Sequence, residues 1–222
     1  ERKPAELMPY ETDDGLWLEH AFLFVETDAG IRGVAGPLDR AEAALAARFE
    51  DLLVGRDPLA TEKLWDLMYR DAVHGRKGAT MQAISAVDNA LWDIRGKHHD
   101  EPVYRLLGGP TQDEIPAYAS MLGFSVEPDR VKERASEFKE RGYDAQKWFF
   151  RYGPGAGEEG KQKNEQLVRA AREAVGEGYD LMFDCWMSWD RTYALEMFDR
   201  VAEYDPRWVE EPVQPDKLDQ LA

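Results

Sequence analysis

Apolar and polar positions along the chain change period twice, and each change marks a change of architecture. Two apolar runs, Leu16-Trp17-Leu18 and Phe22-Leu23-Phe24-Val25, precede Asp28-Ala29-Gly30 and a returning run from Ile31 to Ala35. Together they predict a β-hairpin over 16–36. Helical spacing then takes over. Ala and Leu recur on one face of 39–53, and Asp57-Pro58 predicts a helix cap with proline at the first helical position. The helix it opens carries Leu64, Leu67 and Met68 at three- and four-residue spacing, and Gly78 precedes a strongly apolar helix over 81–97. Two strands followed by three helices make an α+β unit that ends near Gly108-Gly109.

From there strands and helices alternate. Strands are expected at 115–122, 144–150, 179–184 and 207–210, with helices at 128–141, 161–175 and 191–204. A glycine-rich loop is expected at 153–160, and a further helix begins at 216. Strands separated by helices of this length form parallel βα units, the repeat of both doubly wound sheets and eight-fold barrels.

Composition narrows the class. With 28 Lys+Arg against 44 Asp+Glu the formal charge is −16, and 43% of residues are hydrophobic, enough for a packed core. The negative balance argues against nucleic acid, whose binders need a basic surface. Neither a membrane-length apolar run nor a signal peptide at Glu1-Arg2-Lys3-Pro4 is evident, and the one cysteine, Cys185, has no partner for a disulfide. The reading is a soluble cytoplasmic protein. Acidic residues spread along the whole chain, with Arg outnumbering Lys, add the expectation of a high-salt host.

Chargeable side chains gather at the carboxyl ends of the expected strands, where parallel α/β proteins bind ligands. Lys147 lies near the end of the second strand, Asp184 ends the third after Leu181-Met182-Phe183, and Glu210 with Glu211 ends the fourth after Trp208-Val209. Carboxylates on neighbouring strands repel unless a cation lies between them, and such hard oxygen ligands suit Mg²⁺. On spacing alone Asp184 and Glu210 serve equally well as helix caps or salt-bridge partners.

Two longer patterns carry a resemblance. The first is Ala83, Ser85-Ala86-Val87-Asp88, Ala90-Leu91, Asp93-Ile94 and Gly96-Lys97, followed by Pro102-Val103 and Leu106-Leu107-Gly108. The second is Leu181, Asp184, Trp186, Ala194, Val201 and Val209-Glu210-Glu211-Pro212. In this order they resemble the signatures of the mandelate racemase and muconate lactonizing branch of the enolase superfamily. The one departure is Trp186, where that family usually has Asn or His. The resemblance implies an α+β capping domain, 1–109, followed by the first four βα units of a modified (β/α) TIM-type barrel, 110–222.

The resemblance also implies site roles. Asp184 and Glu210 match metal ligands for Mg²⁺, and Glu211 a residue behind them, with a structural ion pair as its other reading. The family's chemistry removes the proton alpha to a carboxylate while the metal stabilises the enediolate; that belongs to the superfamily and is not read from this sequence. Many members carry Lys-x-Lys on the second barrel strand with the second lysine as base. Here Lys147 matches the first lysine and Phe149 occupies the base's place. Lys147 is then a cationic catalytic contact to the substrate carboxylate or a metal-bound oxygen, in preference to a base. Arg151, on the same face if the strand continues, grips a hydroxyl or carboxylate or is a solvated loop arginine. Asp184-Cys185-Trp186-Met187-Ser188 with a lone lysine resembles the acid-sugar dehydratases of the L-rhamnonate dehydratase type, where a His–Asp pair on later strands moves the protons. Trp186 then shapes the pocket or simply packs.

The implied function is Mg²⁺-dependent dehydration of a sugar acid to a 2-keto-3-deoxy acid in a homo-oligomer. The alternatives are a racemase or cycloisomerase of another carboxylate, or a non-catalytic remnant serving in binding or assembly. About 250 residues make a full barrel, so residues 110–222 are expected to be half of one. The chain is then part of a longer enzyme or a truncated copy inactive alone. Cys185, Trp65, Tyr69 and Trp92 read as packing residues, and His74, His98 and His99 as surface residues.

Overall fold

A computed structural model describes residues 21–75 and 77–221, so the start of the expected hairpin and Arg76 lie outside the described residues. Two compact units result, one ending at Glu114 and the other beginning at Ile115.

The first unit opens with antiparallel strands β1 (Ala21–Glu26) and β2 (Arg32–Leu38). Leu23 and Val25 pack against the core while Phe22 and Phe24 point to the open face, as period-two alternation requires. Gly30, at φ 76, makes the turn. The single helix expected over 39–53 is two, α1 (Arg40–Ala47) and α2 (Glu50–Leu53). Asp39 and Glu42 form a reciprocal capping box at the start of α1.

The third helix, α3 (Thr61–Asp71), starts later than Asp57-Pro58 suggested. The Asp57 carboxylate accepts from the Leu59 amide at 2.9 Å, so the pair builds a tight turn ahead of the helix instead of capping it. Then follow α4 (Ala79–His99), two residues longer at each end than expected, and the short α5 (Val103–Leu106). Ala83, Ile84, Val87, Leu91 and Ile94 of α4 form one buried stripe against Ala46, Phe49, Leu64 and Met68. Trp65 and Tyr69 stack with ring centroids 4.9 Å apart.

The second unit is a parallel sheet in the order β3 (Ala119–Ser120), β4 (Ala145–Phe149), β5 (Asp180–Asp184) and β6 (Trp208–Glu210). Its helices are α6 (Pro128–Glu140), α7 (Gly157–Val175), α8 (Arg191–Val201) and α9 (Leu218–Leu221). The first strand is far shorter than the expected 115–122: the chain turns directly after it, with Phe124 N donating to Met121 O, and Pro116 ahead of it has no amide to give to a ladder. The glycine-rich stretch is also largely helical: a 3₁₀ turn at Pro154–Ala156 runs into α7 at Gly157. Within the helix, position 160 is held to glycine, since a Cβ there would stand 2.4 Å from Ala156 Cβ and 3.1 Å from Tyr152 Cβ.

One face of the sheet meets the helices. Trp148, Phe150, Leu181, Phe183 and Cys185 pack with Val131, Ala135, Leu167, Val168, Met197 and Val201. The polar Gln146 is admitted to this face because its amide donates to Ala135 O and its carbonyl accepts from Trp148 Nε1. The alternate residues Lys147, Phe149, Asp184 and Glu210 are thereby turned to the opposite face.

Candidate metal and substrate site

Strand register assembles the site. Phe149 pairs with Asp184, and Asp184 with Glu210, so three neighbouring strands end on one rung. Residues paired across a parallel ladder face the same way, and Lys147 shares that face from two positions earlier on β4. The Lys147 ammonium lies 2.6 Å from Glu210 Oε1 and 3.2 Å from Asp184 Oδ2, bridging the two carboxylates. Lys147 and Asp184 are buried, at 8% and 6% exposure. Phe149, on the same face, places its ring centroid 5.4 Å from the ammonium, and Tyr118 places its own at 5.7 Å.

One oxygen of each carboxylate has a donor of its own. Asp184 Oδ1 accepts from the Trp186 amide at 2.8 Å and Glu210 Oε2 from Trp208 Nε1 at 3.0 Å. Burial works against the Lys147 charge, but its hydrogen bonds to Glu210 and Asp184 and their negative charges outweigh it, holding the amine above the ordinary lysine range. The hydrogen bond from Lys147, helped by that from Trp208, holds the Glu210 carboxyl below the usual carboxylate range despite its desolvation. Lys147 therefore sits here as an ammonium bridging two carboxylates.

The segments beyond β5 and β6 are stitched together. Cys185 N donates to Glu210 O, Met187 N to Glu211 O and Trp189 N to Pro212 O. Trp186, Met187 and Glu211 adopt positive φ of 48°, 56° and 46°, which non-glycine side chains seldom accept and which collects at functional sites. Trp186 is 59% exposed, its amide on Asp184 Oδ1. The neighbouring Cys185 thiol is buried in the helix-side core, and burial, followed by the charges of Asp184 and Glu210, pushes it up, so it behaves as packing.

Of the residues singled out in the sequence, Lys147, Phe149, Asp184 and Glu210 converge, and Trp186 joins through its amide. Arg151 does not share their face: β4 ends at Phe149 and Arg151 lies exposed in the following loop. Glu211 lies beyond β6, exposed, so strand alternation does not set its direction, and among the described residues it forms no ion pair. Sequence reasoning missed Trp208 and Tyr118. The signal was present for Trp208, two positions before Glu210 on the same strand and hence on the same face.

The loop after β4 is held by a buried polar hub that also went unnoticed. The Tyr152 carbonyl accepts from Asn164 Nδ2 at 2.8 Å and Trp189 Nε1 at 2.9 Å, while the Tyr152 amide donates to Asn164 Oδ1 at 3.3 Å. Asn164, only 1% exposed, is thus satisfied in the core by the backbone it fixes.

The donor set fits a hard divalent cation. Two carboxylate oxygens, Asp184 Oδ2 and Glu210 Oε1, already converge on one positive charge, that of Lys147. Among the described residues no group of three or more His, Cys, Asp or Glu is positioned to hold a metal.

Known proteins place this geometry. Residues 18–108 match the mandelate racemase/muconate lactonizing enzyme N-terminal domain, and residues 130–222 match the enolase C-terminal domain-like family. The L-rhamnonate dehydratase of Saccharopolyspora erythraea is 43% identical over 171 residues, covering 77% of this chain and 40% of that protein. The D-galactarolactone cycloisomerase of Agrobacterium fabrum is 36% identical over 212 residues, covering 91% of this chain and 53% of that one. The crystal structure of rhamnonate dehydratase from Gibberella zeae complexed with Mg superposes with a TM-score of 0.76 at 35% identity, over 90% of this chain and 47% of that chain. The chain thus spans about half, or less, of the length of these relatives. An α+β capping unit, a half-barrel of parallel βα units and both family matches lead to one assignment: the chain belongs to the enolase superfamily, in its mandelate racemase/muconate lactonizing enzyme branch.

Proposed function

We propose that this chain carries the capping domain, 1–109, and the first four βα units, 110–222, of a Mg²⁺-dependent acid-sugar dehydratase that converts an aldonate to a 2-keto-3-deoxy acid. The observation that carries the reading is the convergence of Asp184 Oδ2 and Glu210 Oε1 on a single positive charge at the carboxyl ends of adjacent strands. In it Asp184 and Glu210 hold the metal, which when bound supplies charge neutralisation for the substrate carboxylate as its α-proton leaves. Lys147, whose ammonium lies between the two carboxylates, pairs with the substrate carboxylate and adds to the positive field, in preference to taking the proton. The proton acceptor belongs to strands beyond β6, as does the third metal ligand. Trp186 walls the mouth of the pocket. Phe149 closes the place a second lysine would take, Arg151 is a solvated arginine of the loop after β4, and Glu211 supports the ligands from the loop after β6.

Similarity to cycloisomerases of sugar-acid derivatives, such as that from Agrobacterium fabrum, supports a second reading in which the same proton abstraction opens or forms a ring. A screen of aldonic acids and aldarolactones with Mg²⁺ separates the two. A protein in which these residues are followed by a complete barrel is expected to form keto acid from an aldonate, and the 222-residue chain alone to form none. Lactone isomerisation without keto acid would select the cycloisomerase; no keto product from any acid sugar would overturn the dehydratase.

The dispersed negative charge supports a high-salt host, with its own test. Exposed pairs such as Arg70–Asp66 weaken as salt rises, whereas screening relieves the self-repulsion of a chain at −16. The melting midpoint is expected to climb between low and molar KCl, and a flat or falling series would sink the idea.

A further inference from the structure

Every oxygen of the two metal-site carboxylates is already engaged. Asp184 Oδ1 and Glu210 Oε2 are turned away to the Trp186 amide and the Trp208 indole N–H. The remaining pair, Asp184 Oδ2 and Glu210 Oε1, shares one partner, the Lys147 ammonium. A metal bridging both residues through these oxygens would need the position that ammonium fills, and two cations cannot share it.

We propose that Lys147 is an internal place-holder: its ammonium occupies the metal position in the metal-free protein and is displaced when the metal binds, which frees it to receive the substrate carboxylate. The inference rests on the assignment of Asp184 and Glu210 as metal ligands. Three features support an exchange of cations over a permanent salt bridge. Without any cation two carboxylates would face each other on adjacent strands, one of them buried, so the metal-free fold needs a positive charge there. A lysine carries that charge on a flexible stem, unlike the planar fork of arginine. The ammonium also stands within cation–π range of the Tyr118 and Phe149 rings where it lies, so the two carboxylates are not its only hold on this face. Trp208 is the positioning residue of the arrangement: by holding Glu210 Oε2 it keeps Oε1 aimed at the shared point. The consequence is an order of events, metal first and substrate second, because Lys147 can grip an incoming carboxylate only after it has left the two it holds.

The test uses a protein in which these residues are followed by a complete barrel, so that the third ligand is present, and Mg²⁺ or Mn²⁺ alone, with no substrate. Metal affinity is read by Mn²⁺ electron paramagnetic resonance and by competition with Mg²⁺. The position of Lys147 is read from its ¹⁵N ammonium resonance, assigned by its loss in Lys147→Met. In the metal-free wild-type chain that resonance is expected to be visible, its protons retained by the two carboxylates, and to vanish as Mg²⁺ saturates the site. Lys147→Met is expected to melt lower than wild type without metal, to bind metal at least tenfold more tightly and to recover its melting midpoint when metal is added. If Lys147→Met fails to fold without metal, Lys147→Gln with the wild-type resonance decides the matter. An ammonium resonance unchanged at metal saturation, or a variant that binds metal no better than wild type, overturns the exchange while leaving the ligands in place. Absence of metal binding in both proteins overturns the ligand assignment and the exchange with it.

Discussion

Asp184→Asn is expected to yield a folded chain whose response to Mg²⁺ is lost. The substitution keeps the shape of the side chain and an oxygen to accept the Trp186 amide now 2.8 Å from Oδ1, so the turn after β5 survives. Lys147 keeps its 2.6 Å bond to Glu210, so no buried charge is left without a partner. The variant removes the anionic oxygen that meets Glu210 Oε1 at the shared cation. Partners that merely orient a metal's ligands change affinity by about 10–100-fold when removed. A ligand itself is worth more, and the expected loss in Mn²⁺ or Mg²⁺ affinity is over ~100-fold on that scale. Calorimetry or Mn²⁺ resonance with circular dichroism as the folding control makes the comparison. Unchanged affinity would remove Asp184 from the ligand set and with it the main support for metal-assisted chemistry.

The two ends of the site differ in how far the sequence disclosed them. Asp184 and Glu210 were legible because each follows an apolar stretch, Leu181-Met182-Phe183 and Trp208-Val209, at the carboxyl end of a parallel strand where ligands bind. Their register was not legible. Pairing of Asp184 with Glu210, and of Phe149 with Asp184, is set by helices that cover the other face, through Trp148, Phe150 and Phe183. Arg151 shows where alternation fails: its argument required β4 to continue, but the Tyr152 backbone is drawn out of the strand by Asn164 and Trp189, residues 12 and 37 positions away. The same long-range dependence hid the start of α7, because Gly157 and Gly160 read as loop residues until Tyr152 is seen packed against that turn. In the capping unit, periodicity found α4 but not α5, whose four residues are too few for a helical pattern to emerge.

Gly33→Ala is expected to destabilise the capping unit far more than a surface glycine substitution does, and the reason lies in the first signature. Two of its polar residues, Asp93 and Lys97, dock β2 on α4: the Asp93 carboxylate accepts from the Val34 amide at 2.9 Å, and Lys97 Nζ donates to Arg32 O at 2.7 Å. The pair also bridge one another at 2.6 Å, one helical turn apart. Gly33 lies between the two anchored residues, and its backbone comes so close to α4 that a Cβ would meet Ala90 O at 2.1 Å and Ile94 Cγ1 at 2.8 Å. Ala90 O is backbone within a long helix, so the overlap cannot be relieved by a rotamer. Relief requires the strand to lift, breaking both anchors and opening the packing of Ala35, Ala86 and Ala90. Overpacking in a well-filled core costs about 1–3 kcal/mol, and an unyielding backbone contact belongs at or above the top of that range. Gly30→Ala is the control, with open space around its Cβ and only the positive φ of 76° to oppose it, a cost of about 1 kcal/mol. Thermal unfolding followed at residues of this unit should place Gly33→Ala well below Gly30→Ala, by roughly 4–8 °C for each kcal/mol in a domain of this size. Equal midpoints would mean that β2 and α4 are not in such close contact, and that the spacing of Ala90, Asp93 and Lys97 has another cause.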